Sequence, residues 1–264
     1  MAPKVRVSTL LLLCAAVVSA LVAGCGGSPP PPPAAKPGKP VDPATAGSIS
    51  GRVTFKGEVP PAEVLRMGSD QACVQGAGPN PVSDAVVVSS DGALKNVFVY
   101  VKEGLDPGYG FDVPAAPVVL DQKGCVYAPR VAGLRVGQPI EIVNSDPTLH
   151  NVHGLPNKNP EFNASQPIQG IRTTRTFNTP DVMVRFKCDV HSWMTSYVGV
   201  VDHPYFAVTT GDGRFTLENL PPGTYTLEAW HERFGTQTAT ITVGAKQSQT
   251  ASFSFTPKPE TEQK

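Results

Sequence analysis

The chain has 264 residues, enough for one large domain or two small ones. Lys plus Arg and Asp plus Glu each total 22, so no net field is available to recruit nucleic acid or an anionic membrane surface. With 25 glycines and 28 prolines, and no long amphipathic 3.6-residue period beyond the N-terminus, the sequence predicts many turns and few long helices.

Lys4 and Arg6 precede an apolar run, Leu10 to Ala23, that is too short to span a bilayer. It ends Leu21-Val22-Ala23-Gly24-Cys25, which resembles a bacterial lipobox. The resemblance implies cleavage before Cys25 and lipidation of its thiol and new amino group. Residues 1–24 are therefore read as a lipoprotein signal peptide, with an ordinary signal peptide as the alternative. Gly26, where an Asp would mark inner-membrane retention, points to the outer membrane of a bacterial cell envelope. Residues 25–47 form a Pro-rich tether. Five consecutive prolines, Pro29 to Pro33, set a stiff extended arm that cannot build a core.

From Ser48 the chain reads as strands. Ile49 to Phe55 alternates with period two, Val86-Val87-Val88 is a short apolar run, and Asp91-Gly92 signals a turn. Asn96 to Val101 is a strong strand closed by Gly104 and Pro107. Val118 to Leu120, Leu134 to Val136 and Ile140 to Val143 follow. Pro156 to Gly170, rich in Asn and Pro, reads as a loop. Thr174 to Phe177 and Val182 to Phe186 read as strands, the second running into Cys188, and Tyr197 to Val201 closes the set.

The segment Lys187-Cys188-Asp189-Val190-His191-Ser192-Trp193-Met194 carries the chemistry. It offers a thiolate, an imidazole and a thioether, each three residues apart. Upstream, Leu149-His150-Asn151-Val152-His153 ends an apolar alternating run. Cys, His and Met from one tight loop, with a second His from a distant strand end, make the ligand set of a blue-copper electron-transfer site. Cys188 would bind as the thiolate, His150 and His191 as neutral imidazoles, and Met194 as the long axial ligand. Four protein ligands leave no open position for a substrate, so the reading is a carrier and not an enzyme. A thiolate and two imidazoles also suit zinc.

Residues 117–203 resemble a cupredoxin, nearest to amicyanin and its plastocyanin relatives, on Val136 to Asn144, His150 to His153 and Cys188 to Met194. The resemblance implies a Greek-key β-sandwich holding one type 1 copper. It makes the first His of the His-Asn pair the ligand, His150, and leaves His153 outside. It also implies that Asn151 ties the two ligand loops together by hydrogen bonds. His191 would be the electron port, ringed by Trp193, Leu149 and Pro147, for transient docking of a soluble or membrane redox protein.

Thr210 to Leu227 resembles the carboxypeptidase regulatory-like, transthyretin-like β-sandwich, a carbohydrate-binding-like fold. Asp212-Gly213 and Pro221-Pro222-Gly223 supply its turns, and Phe215, Leu217, Tyr225 and Leu227 its alternating apolar faces. The tail is too short for the full sandwich. Its missing strands are expected at Gly51 to Val53 and Val97 to Val99. The expected organisation is all-β: a split domain over 48–116 with 204–256, the copper domain over 117–203 inserted into it, and a disordered tail over 257–264. The alternative is two consecutive domains.

With Cys14 in the leader, Cys25 lipidated and Cys188 on the metal, Cys73 and Cys125 remain. In an oxidising envelope they are expected to pair as a disulfide, against two separate buried thiols. His231 reads as structural, and no chemistry is assigned to His203. The function expected is a monomeric, lipid-anchored copper electron carrier on the periplasmic face of a membrane. A copper buffer, chaperone or sensor with the same ligands is one alternative, and a carbohydrate- or protein-binding module another.

Overall fold

The structure is a computed structural model in which residues 38–257 are described. The expected signal peptide, the lipobox with Cys25 and the proline run fall outside them, as do residues 258–264. The end of the expected tether is held against the fold: Lys39 bridges Tyr109, and its ammonium lies 2.6 Å from Asp106.

Strand β1 (Gly47–Phe55) buries Ile49, Val53 and Phe55. A short helix, α1 (Gln71–Ala77), and β2 (Phe98–Glu103) follow. Then come β3 (Val118–Gln122), β4 (Tyr127–Ala128), β5 (Val131–Arg135), β6 (Ile140–Asn144), β7 (His150–Leu155), β8 (Phe162–Gln166), β9 (Arg172–Arg175), β10 (Asp181–Lys187) and β11 (Thr195–Val201). The chain continues with β12 (Phe206–Val208), β13 (Arg214–Leu220), β14 (Gly223–His231), β15 (Gly235–Val243) and β16 (Ser248–Phe255).

These strands make four sheets around two main cores. One core, with Leu120, Ile140, Ile142, Val152, Phe186 and Val198, is built by the sheets β4-β3-β6-β9 and β5-β11-β10-β7-β8. The other, with Ile49, Val53, Val99, Leu217, Tyr225 and Phe253, is built by β13-β1-β16 and β12-β2-β14-β15. The second sandwich thus draws strands from both sides of the first in sequence. β1 pairs antiparallel with β13 and parallel with β16, and β2 lies between β12 and β14.

The composition of β2 follows from its position. It is apolar on both faces because both are covered. Val99 and Val101 enter the second core, while Phe98 and Tyr100 join Val131, Met183 and Val201 in a third cluster between the sandwiches. Gly133 and Gly199 lie opposite each other on β5 and β11. A Cβ at Gly199 would come within 2.3 Å of the Phe98 ring, and one at Gly133 within 2.4 Å of Phe206. Glycine at both positions is what lets the aromatic rings of one sandwich lie on the backbone of the other. Arg130 adds a two-pronged ion pair to Glu232 at 2.9 and 3.1 Å, and Trp230 packs on Tyr197 with ring centres 5.0 Å apart.

Three expectations are corrected. The Asn-rich segment read as a loop contains β8, which pairs with β7 and sets Gln166 opposite His150. The strand expected at Thr174 to Phe177 starts earlier, as β9, and pairs with β6. Helix α1 was not expected. Asp70 starts it by accepting hydrogen bonds from the Ala72 and Cys73 amides at 2.8 and 3.3 Å, and Gly78 ends it with φ of 75°. Among the described residues no helix is long and apolar enough to cross a membrane.

Candidate metal centre

His150 opens β7, and Cys188 directly follows β10, so pairing of these two strands brings them to one end of the first sandwich. The loop after Cys188 closes on itself: the Met194 amide donates to the His191 carbonyl at 2.9 Å, and the Cys188 amide to the Met194 carbonyl at 3.3 Å. Asn151 clamps the loop to β7. Its Oδ1 accepts from the Asp189 amide at 2.6 Å, and its Nδ2 donates to Asp189 and Asn163 at 3.1 and 2.7 Å. The Tyr127 hydroxyl sits 3.1 and 3.2 Å from the carbonyls of Asn151 and Lys187, one on each strand.

The result is a closed cluster. His150, Cys188 and His191 bring their donor atoms within 4.8 Å of one another, and all three are buried. The two Nδ1 atoms are 3.0 Å apart, and His191 Nδ1 is 3.8 Å from Cys188 Sγ. Met194 is fully buried in the same core cluster as Cys188. His153 stands outside, between Asp189 at 2.9 Å and Glu161 at 2.7 Å.

The outer nitrogens decide what the inner ones can do. His150 Nε2 lies 2.9 Å from Asp146 Oδ2, and His191 Nε2 lies 3.3 Å from Asp70 Oδ2. An ionised carboxylate only accepts, so each Nε2 carries the hydrogen and, in the neutral ring, each Nδ1 presents a lone pair. Two lone pairs cannot face each other at 3.0 Å without a cation between them, either a proton or a metal ion. Metal bonds of about 2.1 Å to nitrogen and about 2.3 Å to sulfur, at tetrahedral angles, separate donors by about 3.3 to 3.6 Å, and the observed 3.0 and 3.8 Å lie within a few tenths of an ångström on either side of that range. The residues present fit a soft metal ion.

Charge follows the same geometry. Burial works against an imidazolium at His150, but Asp146 and Cys188 outweigh it and raise the group to about 9. Burial likewise opposes a thiolate at Cys188, and the His150 hydrogen bond with the amides of Asn151, His191 and Val190 turns the balance, holding the thiol below its ordinary range. His191 is lowered, first by burial and then by the charge of His150. Both shifts favour an imidazolium at His150 facing a Cys188 thiolate, and an incoming metal ion would compete with that proton.

The collar expected around His191, from Trp193, Leu149 and Pro147, is only part of what surrounds it. His191 is 2 % exposed, because α1 and the Cys73–Cys125 disulfide cover it. Cys73 Sγ lies 3.6 Å from His191 Nε2. Trp193 is partly buried, and its indole N–H donates to the Cys125 carbonyl at 2.9 Å, while Leu149 stays exposed. Asp70 and Asp146 were missed. The signals were an Asp at a helix start beside Cys73, and an Asp in the turn four residues before His150. At the far end of β14, His231 is buried with Nδ1 accepting from the Arg233 amide at 3.1 Å, and among the described residues no carboxylate hydrogen-bonds to it.

The molecule is thus an all-β protein of two sandwiches with a buried Cys-His-His cluster at one end of the first. Residues 198–256 match the carboxypeptidase regulatory-like domain family, a span that begins within β11. Solved structures similar to parts of the chain include a copper-containing nitrite reductase from Thermus scotoductus SA-01, at 22% identity and a TM-score of 0.30. That match covers 37% of this chain and 25% of the reductase, so the chain spans about a quarter of its length. A purple cupredoxin from Nitrosopumilus maritimus is 19% identical over 31% of this chain and 98% of its own, with a TM-score of 0.28. A reduced amicyanin mutant is 22% identical over 33% of this chain and 85% of its own, with a TM-score of 0.29. No curated protein matches the chain.

Proposed function

We propose that this chain is a type 1 copper electron carrier, lipid-anchored through Cys25 in a bacterial cell envelope. Within it, 117–203 is inserted into a split regulatory-like domain made of 48–116 and 204–256. The observation that carries the copper reading is the facing pair of Nδ1 atoms, 3.0 Å apart beside the Cys188 sulfur and sealed from water. Bound copper would supply one-electron chemistry, alternating between Cu(I) and Cu(II). Cys188 offers the soft donor and the strongest electronic coupling, and the two imidazoles suit both oxidation states. The clamp by Asn151 and Tyr127 keeps both ligand strands in one arrangement, which favours fast electron exchange over substrate chemistry. Leu149 and Val190, 43% and 49% exposed beside the ligands, offer an apolar edge for brief docking of a redox protein.

A second reading is copper holding without turnover, as in a buffer or chaperone. The covering of His191 favours it, because a covered ligand slows both electron and ion exchange. The experiment is one spectrum followed by one voltammogram on full-length copper-loaded protein. An intense visible thiolate-to-copper band with reversible one-electron waves supports the carrier. A band with no reversible wave turns the reading to copper holding, and no band removes copper from the proposal.

A further inference from the structure

Each ligand imidazole meets a carboxylate on its outer nitrogen, and each carboxylate is itself held from behind. Asp146 accepts from the Gly124 and Cys125 amides at 2.7 and 2.8 Å, besides contacting His150. Asp70 accepts from the Ala72 and Cys73 amides through Oδ1, and from the Thr148 hydroxyl at 2.7 Å through Oδ2, the oxygen that faces His191. Cys73 and Cys125 are joined, so a single cross-link holds the backbone behind both carboxylates. Neither carboxylate was needed to form a thiolate–imidazole site. Their placement adds two negative charges just behind two neutral ligands.

We propose that Asp146 and Asp70 are positioning residues of the copper site: each fixes one imidazole with Nδ1 turned inward, and together their charge biases the site toward the oxidised ion. The inference rests on the copper reading above. The direction follows from elementary electrostatics. A carboxylate on Nε2–H makes Nδ1 a stronger donor and places negative charge near the ion, and both effects favour Cu(II) over Cu(I). The shorter contact and the complete burial of His150 make Asp146 the stronger of the pair, at 2.9 Å against 3.3 Å. Asp70, partly exposed, acts through more screening water.

The test measures reduction potential and visible spectrum on copper-loaded full-length protein. Asp146→Asn keeps size and one acceptor but removes the charge. It should raise the potential, with about a tenfold loss of Cu(II) over Cu(I) preference, or about 59 mV for one electron. Asp70→Asn should raise it by less, and Asp70→Glu, which restores the charge, should return most of the shift. Thr148→Val provides the opposite sign without touching either carboxylate. Removing the competing hydroxyl leaves Asp70 Oδ2 to His191 alone, and the potential should fall. If the Asn variants do not fold, the Thr148→Val shift decides for Asp70, and Asp146→Ser, which removes the same charge with a smaller side chain, takes the place of Asp146→Asn. Wild-type protein with a normal band, and variants that keep its potential within error or move it the other way, overturn the inference alone. Wild-type protein with no thiolate–copper band overturns the copper reading and the inference with it.

Discussion

His150 and His231 are both completely buried, one in each sandwich, yet their basicities move in opposite directions. His150 is raised to about 9, while His231 falls to about 3. Burial depresses both. At His231 the nearby charges, Arg130 and Arg233, are positive and push the same way. The ring packs on Phe234 with centres 4.6 Å apart and takes one backbone amide. At His150 a carboxylate on one side and a thiol held below its range on the other reverse the sign. The comparison teaches that a buried histidine is not by itself a site. What makes one is a negative partner behind the ring and a second donor in front of it.

The largest expected effect breaks the comparison at its metal end. Cys188→Ser should abolish the visible band and lower copper affinity by at least about 100-fold, read by titration against a competing chelator. His231→Gln should leave both band and affinity at the wild-type value. A loss of colour in His231→Gln, or its survival in Cys188→Ser, would remove the distinction drawn between the two histidines.

The next effect concerns the cover over His191. The Cys73–Cys125 bond closes a loop with a sequence separation of 52 residues. Chain entropy alone gives such a loop about 4 kcal/mol. Cys73→Ala with Cys125→Ala should lower unfolding stability by about that amount in urea melts at neutral pH. Copper entry into the metal-free double variant should also be faster, measured by stopped-flow growth of the band, because α1 is no longer tied over the cluster. An unchanged entry rate would mean that α1 does not limit access.

The two halves of the centre differed in how legible they were. Cys188, His191 and Met194 share one loop, so their spacing is local and can be read directly, and His150 stands out as a histidine ending an apolar alternating run. Asp70 reaches His191 only through the tertiary approach of α1, 121 residues away in sequence. No periodicity encodes such a contact, so the cover that α1 lays over His191 was not legible. Strand β8 escaped notice because, as an edge of its sheet, it faces solvent with Asn163 and Ser165 and shows little apolar signal. The strand at β2 was plain from its aromatic and β-branched run, but the second surface that Phe98 and Tyr100 cover required the other sandwich to be in place.

That contact between sandwiches gives the third prediction. Gly199→Ala places a Cβ against the Phe98 ring at 2.3 Å, in a cluster with no room to spare. The substitution should cost about 1–3 kcal/mol of stability, the usual range for overpacking a close-packed interior. The copper band should stay at its wild-type wavelength, since Gly199 lies on β11 away from the ligand loop. A shifted band would instead mean that strain at the contact passes along β11 to Cys188 through its pairing with β10.

The smallest effect returns to His231 and works through pH. Its ordinary value is 6.5 and its folded value about 3. Between those limits the unfolded chain binds a proton that the folded chain refuses. Stability must then fall as pH drops below 6.5, by at most about 1.4 kcal/mol per pH unit, and this contribution is flat above it. His203, lowered first by burial, adds a slope of the same sign. The cluster at His150 also titrates, so the raw curve mixes the two sandwiches. Comparing wild type with His231→Gln, both metal-free and both melted in urea from pH 7 to pH 4, subtracts everything except His231. The variant should be less stable than wild type at pH 7, where a neutral imidazole packs better than an amide on Phe234, and should lose less on acidification. Parallel curves would show that the His231 ring takes up its proton within the folded core, and that burial there is less complete than the closed ring contacts indicate.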